Sequence, residues 1–276
     1  MFLTLFKWLF MYNHFPGPNL HNITVVINTW HRPLRLKTSI EHYSDCTSVI
    51  DVRIVWSEPT PVPVDTFIHD TPIKYHRYRT SSINNRFRPI PNIKTHAIFS
   101  VDDDVLVSCA SLQRAIETWS TSPDTIVGFV ARTTSETLEY QHFWWTWWTG
   151  RYNIILTKAA VFHKNYLEYY TDYAPKRAYR WIDEHSNCED ILMSFMIANK
   201  TRMSPIWVSG HYYDSGAFEG LSMKLNHKSV RTECVQNFTK DFGYNPLVYS
   251  YQKVYPVRTL WPFGLASTWL EWFSPI

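Results

Sequence analysis

The run from Ala97 to Val101 is continuously apolar apart from Ser100 and ends in three consecutive aspartates, Asp102, Asp103 and Asp104. A short apolar run of this kind reads as a strand buried on both faces. Three adjacent carboxylates cannot follow it into the core, because unpaired buried charge is too costly. The strand must therefore stop at the rim of a sheet. In open α/β sheets the rim at the carboxyl ends of the strands is where ligands bind.

The flanking sequence fits that architecture. Ile23 to Asn28 is a β-branched run, and Pro33 then opens a helical stretch from Leu34 to Tyr43. A second strand is expected at Val52 to Trp56, stopped by Pro59 and Pro61, with an extended piece at Thr66 to His69. After the aspartates, Ser108 is placed to cap a helix that carries Leu112, Ala115, Ile116 and Trp119 on one face. Further strands are expected at Ile126 to Val130 and Tyr152 to Leu156, and helices at Lys158 to Tyr170 and Cys188 to Asn199. Alternating strands and helices predict an α/β fold with a mostly parallel central sheet flanked by helices.

With 276 residues the chain can fill one large domain. Its formal charge of +3 excludes the strongly basic surface of a nucleic-acid binder, so an anionic partner must be met locally. Residues 1–21 form an apolar segment shorter than a membrane span, readable as an anchor stub, and residues 247–276 form an aromatic, proline-rich tail of unassigned role. The domain between them is expected over residues 22–246. Cys46, Cys109, Cys188 and Cys234 lack zinc spacing; bridged pairs and reduced thiols stand level, and spacing does not choose a pairing.

Three aspartates in a row raise one another's pKa unless a cation offsets them. Their all-oxygen donor set suits magnesium or manganese, ions that also accept phosphate oxygens. Between Lys74 and Lys94 six basic residues occur without an acidic one; Arg86, beside Asn84 and Asn85, is suited to read a diphosphate and a ribose. Glu189 and Asp190 precede an apolar helix, where one carboxylate suffices for the helix start and the other is spare for chemistry. His227 and Arg231, four apart, share a helix face. Trp144, Trp145, Trp147 and Trp148 suit sugar stacking, a membrane surface or lid packing.

Eight phrases taken in order, ITVVINTWHRP, VRIVWSEP, NNRFRPIP, AIFSVDDDVLV, VGFVAR, ILTKAAVFHKNYL, NCEDILMSF and HKSVRTEC, resemble glycosyltransferase family 64, the exostosin-like transferases. The resemblance spans roughly Ile23 to Tyr244. It implies a GT-A type nucleotide-sugar-binding sandwich and transfer with retention at the anomeric carbon. Arg32 and the Thr29-Trp30 loop are then expected against the nucleotide base, and Asn85 and Arg86 on ribose and phosphate. Asp102 and Asp103 are expected to hold the ribose and donor sugar, Asp104 to ligate Mn2+ or Mg2+, and Asp190 to lie beneath the reacting sugar. Arg231 and His227 are expected to clamp the diphosphate, and Cys188 and Cys234 fall where the family has a disulfide.

Two departures stand out: Ser81 replaces an asparagine usual near the nucleotide, and Thr133 to Gly150 is unlike the family's acceptor-side loop. The expected activity is metal-dependent transfer from a UDP-N-acetylhexosamine, with UDP-xylose or GDP-mannose as options, to a glycan or glycolipid, with peripheral membrane contact in view. The rivals are an inactive glycan-binding relative and a metal-dependent nucleotide-sugar phosphohydrolase. An inactive relative should have lost Asp104, Asp190 or Arg231, and all three are present. The family points to the Golgi or ER lumen or membrane; the short apolar start leaves the cytoplasm as the alternative.

Overall fold

The computed structural model describes residues 21–63, 70–216 and 227–256. Its first half follows the sequence reading closely. Strand β1 (Ile23–Thr29) feeds helix α1 (Pro33–Ser44), whose Leu36, Ile40 and Tyr43 pack inward. Strands β2 (Val49–Trp56) and β3 (Ile73–Arg77) follow, then a 3-10 turn at Ile83–Phe87 and strand β4 (Ala97–Asp102). The piece expected at Thr66 to His69 lies outside the described residues.

After the short strand β5 (Val105–Val107), helix α2 (Cys109–Ser120) begins where Ser108 accepts a hydrogen bond from the Ser111 amide. Its buried face is Ser111, Leu112, Ala115, Ile116 and Trp119. Burying Leu112 and Ile116 contributes about 1.5–3 kcal/mol each. The chain continues through β6 (Val127–Gly128), β7 (Ala131–Thr134), β8 (Tyr140–Gln141), α3 (Phe143–Thr149) and β9 (Ile154–Ile155). Next come β10 (Ala159–His163), α4 (Asn165–Tyr173), α5 (Lys176–His185) and α6 (Glu189–Thr201). The last elements are β11 (Ile206–Val208), β12 (Tyr212–Asp214), α7 (His227–Phe242) and β13 (Lys253–Val254).

Eight strands form the central sheet in the order β13-β11-β6-β10-β4-β1-β2-β3, parallel except where β10 runs antiparallel between β4 and β6. This is the α/β sandwich expected, consistent with a GT-A-like fold. Three details differ from the sequence reading. The helix expected over Lys158 to Tyr170 is strand β10 followed by α4; Ala159 to Phe162 are fully buried in mid-sheet, which overrides the helix preference of paired alanines. The strands expected at Ile126 to Val130 and Tyr152 to Leu156 shrink to two residues each. A Cβ at Gly128 would lie 2.6 Å from the Ala159 carbonyl, so the close approach of β6 to β10 requires glycine. From the aromatic tail, Lys253 and Val254 pair with Trp207 and Val208 at one edge of the sheet.

Helix α6 is buried on every side from Glu189 to Ala198, which is why its sequence is apolar nearly all round. Two disulfides secure the helices. Cys188–Cys234 joins the start of α6 to α7, as the resemblance implies. Cys46–Cys109, which the sequence did not single out, joins the end of α1 to the start of α2.

A candidate active site at the carboxyl edge of the sheet

Strand register decides what meets at this edge. Asn28 pairs with Asp102, Thr29 with Trp56, and Trp56 with Arg77, so four strands end side by side. The loop after β1 therefore lies directly beside the three aspartates. His31 takes a left-handed backbone (φ 54°) held by its amide donating to Glu58 Oε1 at 2.6 Å. That turn swings Arg32 over the triplet.

Asp103 is buried: its Oδ2 accepts from Thr29 Oγ1 at 2.6 Å and its Oδ1 from Arg32 Nη1 at 3.2 Å. Burial pushes its pKa up to about 6, against the pull of Thr29 and Arg32. Arg32 Nη1 also donates to Asp104 Oδ2 at 2.5 Å, with Arg35 3.9 Å from the same oxygen. Opposite, the amide and hydroxyl of Ser215 donate to the Asp104 carbonyl. A Cβ on Gly216 would stand 2.2 Å from Asp104 Oδ2, so this glycine leaves the carboxylate its space.

Arg86 is the centre of a second group. Its guanidinium lies 2.8 Å from Asp102 Oδ1 and donates to Glu189 Oε1 at 3.0 Å and to the Thr157 carbonyl at 3.1 Å. Asp102 Oδ1 is within ion-pair reach but receives no well-directed hydrogen bond. Burial raises the Asp102 pKa and Arg86 opposes the shift. Asn85, fully buried, donates to Ser57 Oγ and to the Thr80 carbonyl, while its Oδ1 has no hydrogen-bond partner. Ser81 is exposed beside this turn; it is Ser82 that caps the turn and bonds Asp183.

The third group is the pair Asp190–Arg231. Arg231 Nη2 donates to Asp190 Oδ2 at 2.6 Å and Nη1 to Asn187 Oδ1 at 3.2 Å, with the Tyr140 ring 4.7 Å away. Burial opposes ionisation of Asp190, but Arg231 and the Ile191 amide together hold its pKa below the usual value. Its neighbour Glu189 is pushed the other way by burial and by the Asp190 charge, to about 7. His227, half-buried at the start of α7, is lowered to about 4 by burial and by Arg231, so its imidazole is neutral near pH 7. The Asp190 charge acts on Asp102, which joins the second and third groups in one field.

Beside the Arg32 loop, a cavity of about 410 Å3 is lined by Glu58, Pro59, Arg77, Tyr78 and Arg79. Thus the structure brings together Thr29, Arg32, Asp102, Asp103, Asp104, Arg86, Asp190, Arg231 and His227, places Asn85 behind them, and leaves Ser81 at the surface. Sequence reasoning gave no role to Glu58, Gly216 or Asn187, although Glu58 and Asn187 lie within the VRIVWSEP and NCEDILMSF phrases and Gly216 is one of only eight glycines.

For a divalent cation the donor chemistry suits, since Asp102 and Asp104 offer carboxylate oxygens at the rim. Each now faces an arginine, Arg86 at 2.8 Å from Asp102 Oδ1 and Arg32 at 2.5 Å from Asp104 Oδ2, so a bound cation would have to displace or share these contacts.

Residues 23–261 match the Glycosyl transferase family 64 domain. The chain is 38% identical over 260 residues to glycosylinositol phosphorylceramide mannosyl transferase 1 of Arabidopsis thaliana, covering 86% of this chain and 77% of that protein. It is 30% identical over 247 residues to human exostosin-2, covering 83% of this chain and 33% of that protein. Against glucosamine inositolphosphorylceramide transferase 1 of Oryza sativa subsp. japonica it is 28% identical over 254 residues, covering 88% and 32%. The chain thus spans about a third of the length of the exostosin and the rice transferase. With this domain over most of its length and acid and arginine residues gathered on one sheet edge, the chain belongs to glycosyltransferase family 64 and is a glycosyltransferase.

Proposed function

We propose that the chain is a retaining, metal-dependent transferase that moves mannose from GDP-mannose to a glycosylinositol-phosphorylceramide type of glycolipid. The observation that carries the transferase chemistry is the meeting of Asp102, Asp104 and Arg86 with the Asp190–Arg231 pair at one rim. The choice of mannose rests on the 38% identity to the Arabidopsis mannosyl transferase over most of both chains. It replaces the N-acetylhexosamine that the family resemblance alone favours.

In the reaction, the bond between the sugar's anomeric carbon and the diphosphate breaks, the acceptor oxygen bonds that carbon on the same face, and the acceptor's proton passes to the departing diphosphate. Asp102 and Asp104 would hold Mn2+ or Mg2+, which when bound offsets charge on the diphosphate. Arg86 is positioned to add a fixed positive charge for the same purpose. Asp190, kept ionised by Arg231, faces the oxocarbenium-like carbon as a stabilising carboxylate. His227, neutral near pH 7, would offer the diphosphate a hydrogen bond without adding charge. The cavity beside Glu58 and Arg79 suits the base and ribose.

The test is a thermal-shift and turnover series with GDP-mannose, UDP-N-acetylglucosamine and UDP-xylose, each with and without manganese. GDP-mannose should stabilise only with metal. Asp104→Ala should abolish that shift, whereas Asp190→Ala should keep it and lose turnover. Stabilisation by UDP-N-acetylglucosamine alone would reassign the donor. Hydrolysis without acceptor would replace transfer by phosphohydrolase activity.

A further inference from the structure

Helix α3 buries a single residue, Thr146. Phe143, Trp144, Trp145, Trp147 and Trp148 are 38%, 72%, 57%, 57% and 81% exposed. At about 100° per residue these five side chains sweep an arc of about 200° opposite Thr146. The aromatic surface they present is on the order of 500 Å2, as large as the largest patch of an ordinary monomer. A sugar ring would cover one or two of these rings. An arc this wide matches a planar partner along the whole helix.

Three further observations indicate what that partner is. Tryptophan combines a broad apolar ring with an N–H donor, and it concentrates where hydrocarbon meets headgroups. The chain from Gln141 to Leu167 contains no aspartate or glutamate, while Arg132 packs on the Phe143 ring at 5.7 Å and Arg151, paired with Glu136, stacks on Tyr249 at 3.6 Å. Arg132 puts a cation at the start of an uncharged aromatic helix, which suits anionic headgroups, while Arg151 at the other end is offset by Glu136. The surface also continues past α3: Tyr152 bridges to Ser250, and Tyr251 beside it is 69% exposed.

We propose that α3 seats the enzyme on an anionic lipid bilayer, lying along the boundary between headgroups and acyl chains. No helix among the described residues is long and apolar enough to cross a membrane, and α3, seven residues long, can only lie along a bilayer. The placement also serves the active site. His142, directly before α3, and Arg132 both act on His227, and Tyr140 lies against Arg231. A bilayer under α3 would hold a lipid-linked acceptor beside that end of the site; this consequence, unlike the binding itself, rests on the acceptor proposed above.

The experiment uses the whole chain with mixed phosphatidylcholine–phosphatidylserine vesicles, neutral phosphatidylcholine vesicles, and vesicles carrying brominated phosphatidylcholine. The protein should sediment with the mixed vesicles more than with neutral ones, and bromine should quench its tryptophan emission. Trp144→Ser with Trp148→Ser should weaken vesicle partition by at least about tenfold, from the apolar area removed, with an unchanged circular dichroism spectrum. Quenching in the unsubstituted protein keeps the proposal testable if that variant misfolds. No sedimentation with either vesicle overturns it, whether the helix is covered by residues 257–276, by a second copy detected in light scattering, or by a soluble glycan that shifts the emission. Equal binding by the variant overturns it too. Metal-dependent GDP-mannose binding, measured in parallel, should be unchanged in the variant; its absence in the unsubstituted protein would sink the donor reading and leave the bilayer result standing.

Discussion

The Asp190–Arg231 pair gives a sharp energetic test. Both residues are buried, 7% and 5% exposed, so Arg231→Met leaves a carboxylate without its cation in a low-polarity site. Breaking one side of a buried pair costs about 3–5 kcal/mol. The lost bond to Asn187 adds about 1 kcal/mol, and the lost contact with the Tyr140 ring less. For a chain of this size about 4 kcal/mol corresponds to a fall on the order of 10 °C in Tm.

The sign with pH is also fixed. In the parent Asp190 has a lowered pKa, so its contribution is present above the unfolded value and is lost as pH falls through the folded one. In Arg231→Met burial is opposed only by the Ile191 amide and Arg86, so the Asp190 pKa rises and protonation relieves the penalty as pH falls. The stability gap between parent and variant therefore narrows on acidification. Asp190→Asn combined with Arg231→Met should recover most of the loss, because the amide keeps an oxygen for the Ile191 amide and no charge is stranded. Urea unfolding of the four proteins at several pH values completes the cycle. A variant within about 1 kcal/mol of the parent at neutral pH, or single losses that simply add in the double variant, would refute the reasoning.

Three further outcomes are expected. Gly216→Ala should leave the unliganded Tm nearly unchanged, since a carboxylate end can swing away, yet shrink the metal-dependent donor shift; a full shift would show that the space beside Asp104 is not needed. Cys188→Ala with Cys234→Ala should lower stability by about 4 kcal/mol in the chain-entropy model, read by urea unfolding; a loss under about 1 kcal/mol would show that the bridge constrains little. His227, neutral in the folded state with a pKa of about 4, contributes stability that is present above the unfolded value near 6.5 and is lost as pH falls toward 4. His227→Gln should make Tm flatter over that window, and an unaltered slope would remove the histidine from the account.

Strands β1, β2 and β4 and helices α1 and α2 were legible because each joins an apolar run to a clear punctuator: Pro33, Pro59, the aspartates, Ser108. Strand β10 was not, since Ala159 and Ala160 favour a helix locally and only their burial between two strands decides otherwise. Helix α5 was missed because charged residues fill its sequence and only Ala178 and Ile182 are buried. In the site, the aspartates and Arg86 announce themselves as charge beside buried strands. Glu58 does not, because its role comes from the left-handed turn at His31, a backbone feature that His31 itself does not signal.

Cys188 sits at the start of α6 with φ 78°, a conformation that costs a side-chain-bearing residue roughly 1 kcal/mol or more. Two residues later comes Asp190. The bridge to Cys234 ties this strained peptide to the same helix that carries Arg231, so one covalent link indexes the carboxylate against its guanidinium. A reducing agent would then act first as a loss of alignment, freeing the peptide to leave the left-handed region. On the proposed role of Asp190, turnover should slacken while the sheet is still intact, making the cysteine pair an adjusting screw on that geometry as well as a fastener of the fold.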